Sequence, residues 1–209
     1  MSSSVDSRRR PFVREILGRS DYAIISEWIE ARSRVLDLGC GEGELLQWLV
    51  ENKAVEARGI EIDPRKVQRA IARGVSVYQG DIDLGLADYP DLSFDYVILS
   101  QTLQETRRPL HVLREMLRVG RRTIIAFPNY GHWSVRISLL LKGRAPVTRC
   151  FPYQWYDSPN IHFLTIKDFH ELVRREAWTI EREIFLSGHY SGKFLANLFA
   201  EVGVFLIRK

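Results

Sequence analysis

The chemistry open to this chain is set by three alternating glycines and a few carboxylates spaced along its first hundred residues. Gly39, Gly41 and Gly43 fall in the run Asp37-Leu38-Gly39-Cys40-Gly41-Glu42-Gly43-Glu44. Glycines in that pattern let backbone approach a ligand with no Cβ in the way. The apolar positions Leu45, Leu46, Trp48, Leu49 and Val50 that follow have helical spacing, so a helix points its N-terminus at the same place. An ordinary strand-to-helix turn explains three such glycines less well. The spacing is G-x-G-x-G rather than the dinucleotide G-x-G-x-x-G, and Glu42 and Glu44 are poor company for a pyrophosphate. A cationic, phosphate-free ligand suits them better. Asp37 either orients the loop or meets an ammonium group.

Glu61, beside Ile62, stands where dinucleotide folds place an acid on a ribose diol. Asp63 is expected to cap the next helix, which leaves Glu61 free for the ligand. Asp81 and the backbone of Ile82 suit an exocyclic amine and a ring nitrogen of adenine. Each acid alone reads as a surface or capping residue; together, at the ends of strands, they favour a site.

These positions need a scaffold of alternating strands and helices. A first helix starts at Ser20 or Asp21, either of them a good N-cap, with Ile24, Ile25, Trp28 and Ile29 on one face. Arg34 to Leu38 reads as a buried strand and Glu56 to Ile62 as a second. Asp63-Pro64 starts a helix whose buried face is Val67, Ala70 and Ile71. Val75 to Tyr78 and Phe94 to Leu99 are the third and fourth strands. Ser100 and Gln101 follow the fourth. Pro109 opens a helix with Leu110, Leu113, Met116 and Leu117 inward, closed by Gly120, and Thr123 to Phe127 is a fifth strand. This order predicts an α/β fold with a mostly parallel sheet covered on both faces, its ligand outside the strand carboxyl ends.

From Asn129 to Phe163 the periodicity stops. The stretch carries His132, Trp133, Phe151, Tyr153, Trp155, Tyr156 and His162 between prolines 146, 152 and 159. It is long for a connection, so it is read as a lid, a substrate wall or a partner-docking insertion, with at least half of its rings packing the sheet. A short helix fits Val135 to Leu141. Thr165 then caps a helix, Thr179 to Leu186 is a strand, Leu195 to Ala200 is helix-compatible and Val204 to Ile207 is a last strand. Residues 1–209 read as one domain, with Met1 to Arg10 poorly ordered.

The 209 residues carry 30 Lys and Arg against 26 Asp and Glu. A net charge of +4 is not a nucleic-acid footprint. The two cysteines, Cys40 and Cys150, form no CxxC pair, and Cys40 reads as a packing residue. No signal-peptide core or membrane-length apolar run is present. A cytoplasmic protein is expected. No His, Cys or acidic cluster has metal-ligand spacing.

The ordered set V-L-D-L-G-C-G-E-G, G-I-E-I-D, Q-G-D-I and F-D-Y-V-I-L-S resembles the class I S-adenosylmethionine-dependent methyltransferases over the first two-thirds of the chain. The resemblance implies a Rossmann-like sheet of seven strands, the last antiparallel. It implies Glu61 at the ribose, Asp81 and Ile82 at adenine, and Asp37 with Gly39, Gly41 and Gly43 around the methionine part, with Ile62 and Ser100 completing the set. The blocks Arg34 to Gly43, Ser100 to Pro109, Phe127-Pro128-Asn129-Tyr130-Gly131-His132-Trp133 and Pro152 to Phe163 resemble the MetW methionine-biosynthesis family over nearly the whole chain. That resemblance implies association with homoserine O-acyltransferase (MetX).

Related small-molecule methyltransferases carry a His shortly after the fourth strand; the matching place here holds Glu105, an acid at the start of a helix or a base. His132 and His162 are the other candidate bases. No catalytic residue is assigned. The readings carried forward are a partner of the acyltransferase that binds S-adenosylmethionine or S-adenosylhomocysteine, and an active small-molecule methyltransferase.

Overall fold

The computed structural model describes residues 19–187 and 195–209. The expected disorder of Met1 to Arg10 lies outside the described residues. Among the described residues one seven-stranded sheet runs in the order β3-β2-β1-β4-β5-β7-β6. Its strands are β1 (Arg34–Leu38), β2 (Glu56–Glu61), β3 (Ser76–Gln79), β4 (Phe94–Ser100), β5 (Gly120–Pro128), β6 (Thr179–Leu186) and β7 (Val202–Arg208). Strands β1 to β5 pair in parallel, and β7 runs antiparallel to both its neighbours. The helices are α1 (Ser20–Trp28), α2 (Glu44–Lys53), α3 (Pro64–Ala72), α4 (Pro109–Val119), α5 (Trp133–Lys142), α6 (Ile166–Arg175) and the single turn α7 (Ala196–Phe199).

The central strands are apolar on both faces because both are covered. Leu36, Leu38, Val97, Leu99, Ile125 and Phe127 pack with Leu113 and Met116 of α4 and Phe169 and Val173 of α6. Val35, Tyr96, Ile98, Ile124 and Ala126 pack with Ile24, Ile25 and Trp28 of α1 and Leu45, Leu46 and Leu49 of α2. The chain order reverses between β1 and β4, which opens a crevice beyond their carboxyl ends.

Local expectations shift in four places. Helix α1 begins at Ser20, but its N-cap position is Arg19, with no side-chain cap; Asp21 is drawn into the site instead. Ile71 of α3 is 56% exposed, and Val67 and Ala70 alone are buried there. In α4 the inward set is Val112, Leu113, Met116, Leu117 and Val119, with Leu110 at the margin. Gly120 closes α4 as expected, but in extended backbone, so that β5 starts there rather than at Thr123. Its reason is contact: a Cβ there would lie 2.6 Å from Val97 Cγ2.

Candidate functional site

The glycine loop joins β1 to α2, and all three glycines sit in the left-handed region, with φ of 70°, 59° and 79°. Side chains pay about 1–2 kcal/mol there. Their surroundings differ. A Cβ on Gly39 would lie 2.8 Å from Thr102 Oγ1, and one on Gly43 3.0 Å from Ala70 Cβ. A Cβ on Gly41 would meet nothing, because that side faces a cavity of about 500 Å³, a volume typical of small-molecule sites.

Glu61 closes the loop from β2. Its Oε2 accepts from the Gly41 N–H at 2.9 Å, and its Oε1 accepts from the Ile62 and Asp63 N–H groups at 3.0 and 2.9 Å. Asp63 does cap α3, accepting from the Arg65 N–H, yet Glu61 is not left free as the spacing suggested. It braces the loop and retains one lone pair on Oε2 for a ligand donor. Asp37 lies buried one layer behind the cavity wall. Burial pushes its carboxyl up to about 8, with Arg19 opposing and Glu61 and Asp21 adding to the shift, so it is largely protonated at neutral pH.

One end of the cavity carries a cation that sequence reasoning missed. The Arg19 guanidinium donates to Asp21 Oδ2 at 2.5 Å, to Ser100 Oγ at 3.0 Å and to the Tyr22 hydroxyl at 2.9 Å. Ser100 Oγ donates in turn to Asp21 Oδ2 at 2.6 Å. The run Arg19-Ser-Asp-Tyr22 carried the signal, but a capping role absorbed Asp21 and hid it. At the other end Asp81 caps a 3-10 turn over Ile82–Leu84 through the Asp83 N–H and holds Arg107 Nη2 at 2.6 Å. Asp83 is buried, which pushes its carboxyl up, but the N–H groups of Arg107 and Arg108 and their guanidinium groups outweigh this and hold it low.

Of the expected ligand residues, Gly39, Gly41, Glu61, Ile62, Asp81, Ile82 and Ser100 line the cavity, with Arg19, Tyr22, Lys66, Gln101, Thr102 and Glu105. Asp37 and Gly43 do not reach the lining. Glu42 pairs with Arg69 and Arg73, and Glu44 with Arg73, so their charge is largely compensated and weighs less against a phosphate than the sequence suggested. Partial desolvation in the wall raises the Glu105 carboxyl, Lys66 opposing and Glu61 adding. The wall thus offers Arg19, in an ion pair with Asp21, the braced carboxylate of Glu61, and Asp81, held by Arg107. That suits a ligand with a carboxylate, hydroxyls and an amine-bearing ring.

The candidate bases lie elsewhere. His132 caps α5 through Nδ1, and burial lowers its pKa despite Glu201 and the Phe199 carbonyl. His162 Nε2 is buried with no partner and lines no part of the cavity. Asn129 is a structural staple: fully buried, it donates to the Asn197 and Ala200 carbonyls and accepts from the Gly131 and Ile166 N–H groups.

Gln104 connects the cavity wall to the aromatic segment. Its Nε2 donates to the Gln101 carbonyl at 2.7 Å, holding Gln101 at φ 58°. Its own carbonyl accepts from the Ile161 and His162 N–H groups at 2.8 and 3.0 Å. The expectation that half of the segment's rings pack the sheet is not met. Phe151 is buried against Tyr130, whereas Trp133, Tyr153, Trp155, Tyr156 and Phe163 are exposed. None of these rings joins the two apolar clusters that cover the sheet. Cys40 does pack as expected, buried beside Gly59. Among the described residues no three His, Cys, Asp or Glu side chains cluster as metal ligands, and no helix is long and apolar enough to cross a membrane.

The fold agrees with comparisons to known proteins. Solved structures of S-adenosylmethionine-dependent methyltransferases from Thermotoga maritima and Archaeoglobus fulgidus superpose with TM-scores of 0.67 and 0.66. They cover 97% and 98% of this chain and 93% and 100% of theirs, at 19% and 15% identity. A bifunctional methionine biosynthesis protein MetXA/MetW from Rhodopirellula baltica is 37% identical over 174 residues, 79% of this chain and 28% of that protein. A 27-O-demethylrifamycin SV methyltransferase from Amycolatopsis mediterranei is 35% identical over 102 residues, 44% of this chain and 36% of its own. The chain thus spans about a third of these relatives' lengths. The family model described as methionine biosynthesis protein MetW matches residues 19–207, and the chain therefore belongs to the MetW family, built on the class I methyltransferase fold.

Proposed function

We propose that this protein binds S-adenosylmethionine or S-adenosylhomocysteine and, in the cytoplasm, partners homoserine O-acyltransferase (MetX) in methionine biosynthesis. The observation that carries the partnership is the Rhodopirellula relative, in which MetXA and MetW parts share one polypeptide. Genes fused in one lineage commonly encode parts that work together in another. The cavity supports the ligand. Gly41 leaves room for it, Arg19 suits the amino-acid carboxylate, the spare Oε2 lone pair of Glu61 suits a ribose hydroxyl, and Asp81 beside Ile62 and Ile82 suits adenine. When bound, S-adenosylmethionine brings an electrophilic methyl group; this chain's residues bind and orient it. The test is acyltransferase rate and co-elution with and without this protein, beside calorimetric titration of S-adenosylhomocysteine. No complex and an unchanged rate would sink the partnership, and no heat of binding would sink the ligand.

A second reading, an active small-molecule methyltransferase, is favoured by Glu105, an acid of raised pKa in the cavity wall. It would take a proton from an acceptor held beside it. That reading requires S-adenosylhomocysteine release on addition of an acceptor, and its absence across a broad panel of amines and hydroxy compounds counts against it.

A further inference from the structure

The exposed apolar residues of this chain are concentrated where the cavity is not. Helix α5 buries only Val135. Leu140 is 82% exposed and Leu141 77%, with Ile137 and Leu139 also open. A helix that leaves most of its apolar residues in water is short of a partner. Further along, Trp155 is 76% exposed and Tyr156 66%, their rings edge to face at 5.6 Å. The two features share a root. Tyr130 meets Phe151 edge to face at 5.2 Å and lies tilted against Phe163 at 4.6 Å, so the loop carrying Trp155 leaves and returns beside the start of α5. The root is fixed, and the apolar residues are presented outward from it.

Along the sequence of these features the charge is mostly positive. Lys142, Arg144 and Arg149 are exposed, and the stretch 133–163 holds a single carboxylate, Asp157. Exposed Trp and Tyr with Arg nearby are the residue types that dominate protein interfaces. Neither Trp155, Tyr156, Leu140 nor Leu141 lines the cavity, so ligand binding does not account for them.

From this we infer that α5 and the loop at Trp155-Tyr156 form the docking face for the acyltransferase, with an apolar patch on the partner rimmed by carboxylates. The inference rests on the partnership proposed above and adds where on this chain it is made. The fused relative supplies the occupant: it is described as a bifunctional MetXA/MetW protein. Complementary charge steers such an encounter, and buried aromatics hold it.

The experiment compares full-length wild-type protein with two double variants, Trp155→Ala with Tyr156→Ala and Leu140→Ser with Leu141→Ser, for binding to purified homoserine O-acyltransferase from the same organism. Ile71→Ser, on the exposed side of α3, is the control. Each double variant is expected to bind the acyltransferase at least tenfold more weakly, while affinity for S-adenosylhomocysteine changes less than twofold and the control binds as wild type. Double variants that bind like wild type overturn the docking face and leave the partnership standing. Wild-type protein that does not bind the acyltransferase overturns both. Loss of self-association in the variants, or of binding to vesicles of anionic phospholipid, with acyltransferase binding intact would reassign the face to a second copy or a membrane and overturn the inference.

Discussion

Asp37 gives the sharpest quantitative test, because its carboxyl is buried and raised to about 8. In the unfolded chain an Asp titrates near its ordinary value of about 3.9. A folded value above the unfolded one means that the folded state holds the proton more tightly. The associated stability is fully present below the unfolded pKa and is lost as pH rises through the folded one. Each pH unit in between removes about 1.4 kcal/mol. Asp37→Asn keeps the shape and has no proton to lose, so it escapes that loss. The difference in unfolding free energy, variant minus wild type, should therefore grow by about 2.7 kcal/mol between pH 5 and pH 7, then flatten above pH 8. Urea unfolding of both proteins at pH 5, 6, 7 and 8.5 measures it. Titratable groups shared by the two proteins cancel. A difference independent of pH would refute a neutral, desolvated Asp37. Saturating S-adenosylhomocysteine adds a second arm: if its ammonium draws Asp37 into the ionised form, the pH slope shrinks for the bound protein.

Three other outcomes follow from the geometry. Gly41→Ala should lower the S-adenosylhomocysteine affinity at least tenfold while costing about 1–2 kcal/mol of stability from its left-handed φ; Gly39→Ala should cost more stability, since its Cβ also meets Thr102, and equal melting losses in the two would contradict the contrast. Arg107→Ala frees Asp81 Oδ2, so affinity for S-adenosylhomocysteine should rise a few-fold at low salt, and with Arg107 largely exposed the stability should change by less than about 1 kcal/mol; a drop in affinity would mean that Arg107 itself holds the ligand. Asn129→Ala strands buried N–H and carbonyl groups and should destabilise the fold by about 2–4 kcal/mol, measured by urea unfolding, whereas a loss below about 1 kcal/mol would show that water replaces the amide.

The sheet was legible because covered parallel strands are apolar runs, and Val35 to Leu38 or Phe94 to Leu99 admit no other reading. The glycine loop was legible because turn chemistry is local, whereas the cap that Asp81 makes on the turn after it was not read from the sequence. Glu61 shows the limit: its position beyond β2 could be read, but its bonds to Gly41, twenty residues earlier, depend on how two strands lie side by side. Arg19 was missed for a related reason. Its partner Ser100 is 81 residues away, and nothing in either neighbourhood names the other. The exposed rings of the aromatic segment were misplaced because composition cannot tell an apolar residue that covers a sheet from one that waits for another surface. Ile71 and Leu110 erred more narrowly, by one helical step.

Gln104 puts two distant readouts on one mechanical coordinate. Its side chain pins the left-handed Gln101 in the cavity wall, and its carbonyl is shared by the amides of Ile161 and His162. The peptide plane that carries this carbonyl cannot rotate without releasing both amides. Hydrogen exchange at Ile161 and His162, residues that line no part of the cavity, is thus a gauge of how firmly the turn after β4 is held. A molecule seated against Gln101 and Thr102 would slow the clock of a loop it never touches.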